Sequence, residues 1–214
     1  MEITWLGHSS VAINSRDIIL VTDPFDNSNG TFMNPHKADI VTTSNDDPKH
    51  SNAPILTGDP KLLSGPGEYE IKHIYINGIA TGVEDEDGNK ELNTIFAIKV
   101  EGISICHIGN LNQKLSTDQQ DKLGKPQILI IPLPPETDDS NFNPYLLQDT
   151  ITTLQPRIII PVTSNQHKIV TNGGTSTKAF IAELGGGDAE PQNKLNVTST
   201  NLPQERKIVR LNQQ

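Results

Sequence analysis

A strand pattern that occurs twice in the sequence constrains the fold most. In the first copy, Val11 and Ile13 alternate with small or polar residues, a polar turn follows at 14–17, and an apolar run covers 18–21. In the second copy, the apolar run 94–98 is followed by a turn at 100–102 and a strand-like run at 103–108. Each copy predicts a β-hairpin that ends in a polar loop, so the sequence predicts two related halves.

Beyond residue 115 the pattern changes to helices that alternate with short apolar strands. Ser116 or Thr117 can cap a first helix that Gly124 ends, and Asn143 with Pro144 can open a second. A third helix contains Phe180 and stops at Gly185; strands are predicted at 128–131, 158–162, 195–198 and 207–211. Two sheets with helices outside, in one domain that spans 1–214, is the economical interpretation.

Composition limits the classes of function. The chain has 214 residues and a net charge of −9, which argues against binding to the phosphate backbone of nucleic acid as the main role. The single cysteine, Cys106, excludes an internal disulfide framework and fits a reducing, cytoplasmic location. No apolar run approaches the roughly 20 residues of a membrane-spanning helix, and the first residues are expected to form a strand. The sequence identifies no partner, and it is compatible with a homo-oligomer.

Several short motifs follow one another along the chain in a specific order. They are 5–9 (WLGHS), 22–25 (TDPF), 38–42 (ADIVT), 44–52 (SNDDPKHSN), 65–70 (GPGEYE), 106–109 (CHIG) and 156–161 (PRIIIP). This ordered set resembles the metallo-beta-lactamase-fold hydrolases, and in particular a short subgroup usually labelled Zn-dependent hydrolase. The resemblance covers nearly the whole chain. It implies a four-layer αββα sandwich with a metal site at one edge of the two sheets.

The same resemblance implies a set of metal ligands, and this sequence departs from it. The relatives carry a His-x-His-x-(Asp or Asn)-His loop, a further His, a Gly-Asp and a late His. These hold one or two metal ions that lower the pKa of a bound water. In this sequence the corresponding positions are Asn45, Asp47, Lys49, His50, Val83, Asn110 and Thr163. Among them only His50 keeps the residue of the family pattern.

The replacements change the chemistry of the site. Asn and Thr are neutral, weak ligands, and the ammonium of Lys49 is a cation with donors only, so it would compete with a metal for the same negative cavity. We expect Lys49, paired with Asp47 or another nearby carboxylate, to fill part of the space of the metal. No cofactor is therefore expected; if a metal binds, Asp47 and His50 are the ligands.

Five more residues are candidates for the cleft beside those positions: His8, Asp23, Asp46, Glu68 and His107. Asp23 matches the family's structural Asp, which orders the metal-loop backbone, and an ordinary turn aspartate before Pro24 would make the same contacts. His8 and His107 are expected to be structural histidines. Glu68 could be a ligand, although a structural role beside its glycine turn is preferred. Cys106 and His107 are adjacent on a strand and point to opposite faces, so they cannot form a thiol–imidazole dyad.

Two functions remain open at the level of sequence. The first is a pseudoenzyme, a non-catalytic member of the fold whose metal-free cleft is a binding or scaffolding surface. The second is a metal-dependent hydrolase with a rebuilt oxygen-rich site from Asp46, Asp47 and His50, together with Glu68 or Glu84. Its cofactor would be zinc or manganese, and oxygen ligands favour a harder ion such as manganese or magnesium. The first ranks ahead because the bridging carboxylate and the late His are both lost. The fold alone does not choose a substrate.

Overall fold

Two mixed β-sheets pack face to face in the computed structural model. It describes residues 1–26, 33–46, 51–84, 90–133, 143–163 and 177–214, with the backbone alone at 83, 84, 90, 91, 163, 177 and 178. Sheet 1 contains β1 (Glu2–Gly7), β2 (Ser10–Ser15), β3 (Ile18–Thr22), β4 (Ile40–Thr42), β5 (Lys61–Leu63) and β12 (Leu195–Asn196). Its strand order is β12-β1-β2-β3-β4-β5.

Sheet 2 lies against it. Its strands are β6 (Gly67–Ile71), β7 (Ile74–Glu84), β8 (Lys90–Val100), β9 (Ile103–His107), β10 (Ile128–Leu133), β11 (Ile158–Thr163) and β13 (Lys207–Ile208). The order is β13-β11-β10-β9-β8-β7-β6. The helices are α1 (Thr117–Leu123), α2 (Pro144–Leu154) and α3 (Thr177–Glu183), and a 3-10 turn covers Ala53–Ile55. The predicted αββα sandwich class is confirmed.

Both predicted hairpins form. Strands β2 and β3 pair antiparallel up to Ser15 and Ile18, and β8 and β9 pair antiparallel up to Val100 and Ile103. Strands β7 and β8 also pair antiparallel, and the acidic segment 85–89 between them lies outside the described residues.

The predicted helix starts also hold. Ser116 caps α1 in a capping box with Gln119, and the Asn143 side chain accepts the backbone N–H of Leu146 at the start of α2 (3.1 Å). The last strands are shorter than predicted. A turn at 198–201, in which the Asn201 side chain accepts the backbone N–H of Thr198, follows β12. After β13 the chain leaves sheet 2 and reaches sheet 1, where Gln213 forms a β-bridge with Trp5.

Sheet 2 carries buried apolar side chains on both of its faces. Between the sheets, fully buried residues such as Ile13 and Leu20 of sheet 1 meet Ile98 and Ile105 of sheet 2. Alternate side chains of sheet 2 point to its other face and pack against the three helices through Leu123, Ile151 and Phe180. No helix of the described residues is long and apolar enough to cross a membrane.

Two carboxylates join the sheets at the end where the hairpin turns lie, here called the turn end. Asp39, before β4, accepts a hydrogen bond from Lys72 Nζ in the β6–β7 turn (2.8 Å) and one from the backbone N–H of Ile19 (2.9 Å). Glu101, in the β8–β9 turn, accepts one from the Ser15 hydroxyl (2.7 Å). Strands β3, β4 and β9 finish at the opposite end, where the candidate site residues lie.

Candidate functional site

A fully buried carboxylate lies where β3 ends. Asp23 Oδ1 accepts the backbone N–H of Ser44 and Asp23 Oδ2 accepts the Ser44 hydroxyl, both at 2.7 Å. The Asp23 backbone N–H in turn donates to the carbonyl of Thr42 (2.8 Å). The segment that follows β4 is therefore tied to the end of β3 at its first residues.

His107, the last residue of β9, is also fully buried. Its Nε2 lies 2.8 Å from the carbonyl oxygen of Ser9, and its Nδ1 accepts the backbone N–H of Gly109 (3.2 Å). A nitrogen that accepts carries no proton, so this arrangement assigns the neutral tautomer with the proton on Nε2. Asp23 Oδ2 is 3.9 Å from Nδ1, which is too far for a hydrogen bond. Both ring nitrogens are engaged with the backbone.

Asn93 on β8 connects three segments at this edge. Its Oδ1 accepts the backbone N–H of Asn110 (2.8 Å), and its Nδ2 donates to Thr81 Oγ1 (2.8 Å) and to the carbonyl of Ile108 (3.0 Å). The amide is buried, and these bonds hold the loop after β9. Sequence reasoning missed this role, because the partners are 12 to 17 residues away and come together only in the sheet.

The two sheets also meet here through the backbone. The carbonyl of Ser44 accepts the N–H of Thr94 on β8 (2.7 Å). Gly109, with φ of +58°, packs so closely that a Cβ there would overlap Asn93 Oδ1 and lie 2.6 Å from Ser44 Cβ. We call Asp23, Ser44, Asn93, His107 and Gly109 the edge network.

Other predicted residues lie around the edge network. The half-buried Asn45 donates from Nδ2 to Ser44 Oγ (3.4 Å), and the exposed Asp46 accepts at its carbonyl the hydroxyl of Ser51 (3.2 Å). Asn110 is exposed in the loop that follows β9. His8, with φ of +45°, places its ring against Phe25, with centroids 4.5 Å apart.

Some predicted positions are not brought to this edge or are not described. Glu68 is exposed on β6 opposite Asn77, on the face of sheet 2 that points away from sheet 1. Asn77 precedes Thr81, the partner of Asn93, by four positions along β7, so Glu68 is separate from the edge network. Asp47, Lys49 and His50 lie outside the described residues, as do the side chains of Val83, Glu84 and Thr163.

The described residues do not fit a bound metal on their own. Within them, no three His, Cys, Asp or Glu side chains are grouped so that they could hold a metal ion. Both oxygens of Asp23 accept bonds from Ser44, and both nitrogens of His107 bind the backbone. Asn45 and Asn110 provide neutral amides. A metal would therefore need ligands from residues outside the described side chains.

Comparison with known proteins identifies the family of the chain and the structures that share its fold. Residues 2–163 match the family model described as beta-lactamase superfamily domain. A protein from Thermotoga maritima, proposed to be a Zn-dependent hydrolase of the metallo-beta-lactamase superfamily, has a solved structure similar to this one. Its TM-score is 0.76 at 27% identity, over 100% of this chain and 99% of that chain. No curated protein matches the chain.

Two further solved structures share the fold at low identity. The metallo-beta-lactamase fold protein YhfI from Bacillus subtilis aligns with a TM-score of 0.61 and 10% identity, over 99% of this chain and 96% of that chain. A metallo hydrolase from Ignicoccus hospitalis aligns with a TM-score of 0.59 and 13% identity, over 92% and 99%. These two likenesses concern the fold alone.

Proposed function

Because the chain belongs to the beta-lactamase superfamily, with its metallo-beta-lactamase fold, we propose that it is a non-catalytic member whose edge cleft is a binding or scaffolding surface. One observation carries the proposal. The edge network orders the loops by protein hydrogen bonds, while Asn45 and Asn110 present neutral amides where the family pattern has a His and an Asp.

Hydrolysis in this fold requires a metal that makes a water molecule a nucleophile near neutral pH. Catalytic zinc sites usually have three protein ligands from His and carboxylate side chains, and neutral amides are weak substitutes. Of the family positions, Asp47 and His50 are the two that could still ligate, and the positive charge of Lys49 stands between them in the sequence. These residues would supply too little negative charge and too few ligands to hold and activate the ion.

The test is the metal content of the protein purified without chelator, followed by the shift of Tm on addition of zinc or manganese. A metal at 100 times its Kd stabilises the folded state by about 2.7 kcal/mol, which raises Tm by several degrees in a chain of this size. We expect no stoichiometric metal and no such shift. Stoichiometric zinc that is lost in His50→Ala would overturn the proposal in favour of the rebuilt hydrolase site.

A second variant checks the assignment of positions. It restores the family pattern with Asn45→His, Asp47→His, Lys49→Asp, Val83→His, Asn110→Asp and Thr163→His. We expect this variant to bind zinc with a clear rise in Tm, and the same variant with His50→Ala as matched control to bind it at least tenfold more weakly. If the restored protein folds and still takes up no zinc, the assigned positions are wrong.

A further inference from the structure

One row of outward side chains crosses four strands of sheet 2 near the turn end. Glu70 on β6 is paired with Tyr75 on β7, Tyr75 with Lys99 on β8, and Lys99 with Ser104 on β9. The neighbours of these residues along the strands, such as Ile98, are buried between the sheets, so the row itself points away from sheet 1. Across the sheet it presents an acid, an aromatic ring and a base, and it ends at Ser104, whose hydroxyl donates to the Gln127 side chain; we call it the charged row.

The charged row is open on its outer side in the part of the chain that is described. Glu70 and Lys99 are exposed, and Tyr75 is 53% exposed, although its strand β7 has a neighbouring strand on each side. The row lines a groove of about 400 Å³ together with Asn77 and Ala97. Over the other strands of sheet 2, the helices bury the outward residues. This face therefore keeps an uncovered aromatic ring between two opposite charges.

The order of the row makes it complementary to itself. Neighbouring strands are about 4.8 Å apart, so Glu70 and Lys99 lie at equal distances on either side of Tyr75. A twofold axis that is parallel to the strands and lies above Tyr75 reverses the strand order of the second copy. It therefore sets Glu70 of each copy over Lys99 of the other. A twofold axis in the same plane but across the strands would set like charges over each other, which is destabilising.

We propose that a second copy of this chain docks on the charged row, face to face, about a twofold axis that runs parallel to the strands over Tyr75. The two tyrosine rings meet at the centre, and two Glu70–Lys99 pairs flank them. An interface in which a patch meets its own copy is the usual arrangement in homodimers. A patch built from one row of side chains across four strands is small beside the roughly 800 Å² per partner of a standard interface, so we expect a dimer that dissociates on dilution.

This inference goes beyond the proposed function and does not depend on it. The charged row is on the outward face of sheet 2 near the turn end, whereas the edge network lies at the other end of the strands. The dimer could form whether or not the edge cleft binds metal. The two proposals are therefore tested separately.

The test is a charge exchange followed by sedimentation velocity over a wide range of protein concentrations. The unchanged protein should dimerise, and Glu70→Lys or Lys99→Glu alone should raise the dimer Kd by about tenfold or more, because each sets like charges opposite each other. The double variant Glu70→Lys with Lys99→Glu restores opposite charges and should recover the dimer. Lys207→Glu, at an exposed lysine on β13 at the opposite edge of sheet 2, is the matched control and should leave the Kd unchanged.

Circular dichroism of each variant separates loss of the dimer from loss of the fold. A monomer at every concentration for the unchanged protein would overturn the proposal. So would single variants that dimerise as well as the unchanged protein. Single variants that are monomeric, together with a folded double variant that does not recover, would rule out the twofold axis parallel to the strands.

Discussion

The carboxylate of Asp23 accepts both donors of Ser44, the backbone N–H at Oδ1 and the hydroxyl at Oδ2, each at 2.7 Å. The two residues are 21 positions apart and both are buried. Because a buried ionised acceptor without donors is costly, each residue depends on the other. This pair fixes the path of the chain as it leaves β4.

Replacing Asp23 by Asn should therefore destabilise the protein. The amide keeps one acceptor oxygen but sets an NH₂ group against a donor of Ser44, so we expect the free energy of unfolding to fall by about 2 kcal/mol. Urea denaturation measures it. Asp188→Asn, at an exposed position, is the control and should stay within about 0.5 kcal/mol of the parent. Equal losses in both variants would contradict the role assigned to Asp23.

Asn93 gives a second prediction. Asn93→Ala removes the partner of three groups at once, so we expect a loss of about 2–3 kcal/mol in unfolding free energy. It should also speed hydrogen exchange at the backbone N–H of Asn110. Asn93→Asp keeps that acceptor but places an oxygen against the carbonyl of Ile108, and should be destabilised as well. Asn34→Ala, at an exposed position, should change neither quantity. Unchanged exchange at Asn110 in Asn93→Ala would refute the prediction.

Gly109 can be compared with a glycine of similar backbone conformation. Gly102 has φ of +77°, and no atom of the described residues lies within 4 Å of the point that a Cβ would occupy there. Gly109 has φ of +58° and is in close contact with Ser44 and Asn93. Gly102→Ala should cost about 1 kcal/mol for the left-handed backbone. Gly109→Ala should cost about 3 kcal/mol or more, because the added methyl also forces its neighbours apart. Thermal denaturation of the two variants side by side checks the difference, and similar Tm values would show that the loop yields.

Asp39 gives a prediction on pH. The hydrogen bond from Lys72, followed by that from the backbone N–H of Ile19, lowers the pKa of Asp39 below its usual value. A group with a lowered folded pKa stabilises the protein above its unfolded pKa of about 3.9, and this contribution is lost as the pH falls through the folded pKa. Asp39→Asn should thus be less stable than the parent at pH 7, and the gap should close in acid. Denaturation at both pH values measures the gap, and a constant gap would contradict the prediction.

The parts of the fold that could be predicted are those fixed by neighbours in the sequence. Alternation at Val11 and Ile13 indicated β2, and Ser116 with Gln119 marked the start of α1, because each signal and its structural effect lie within a few residues. The end of β13 was predicted too far along, since it depends on a crossing of the chain to Trp5, some 200 residues away.

The same distinction applies to the site. The ordered motifs indicated Asp23 and His107 as residues beside the cleft, and the structure shows both buried at the sheet edge. The role of Asn93 could not be predicted, because no sequence pattern distinguishes this asparagine from others in a strand. Its importance comes from the pairing of β7 with β8, which brings Thr81 beside it, and from the return of the chain after β9.

The edge network also bears on how such a chain can change over evolutionary time. The side chains that order the loops belong to Asp23, Ser44, Asn93 and His107, none of which is at a position where the family resemblance has a metal ligand. The residues that order this edge are thus different from those that the family pattern uses as ligands. A lineage with this arrangement can lose its ligands one substitution at a time and keep an intact protein on which selection for another role can act.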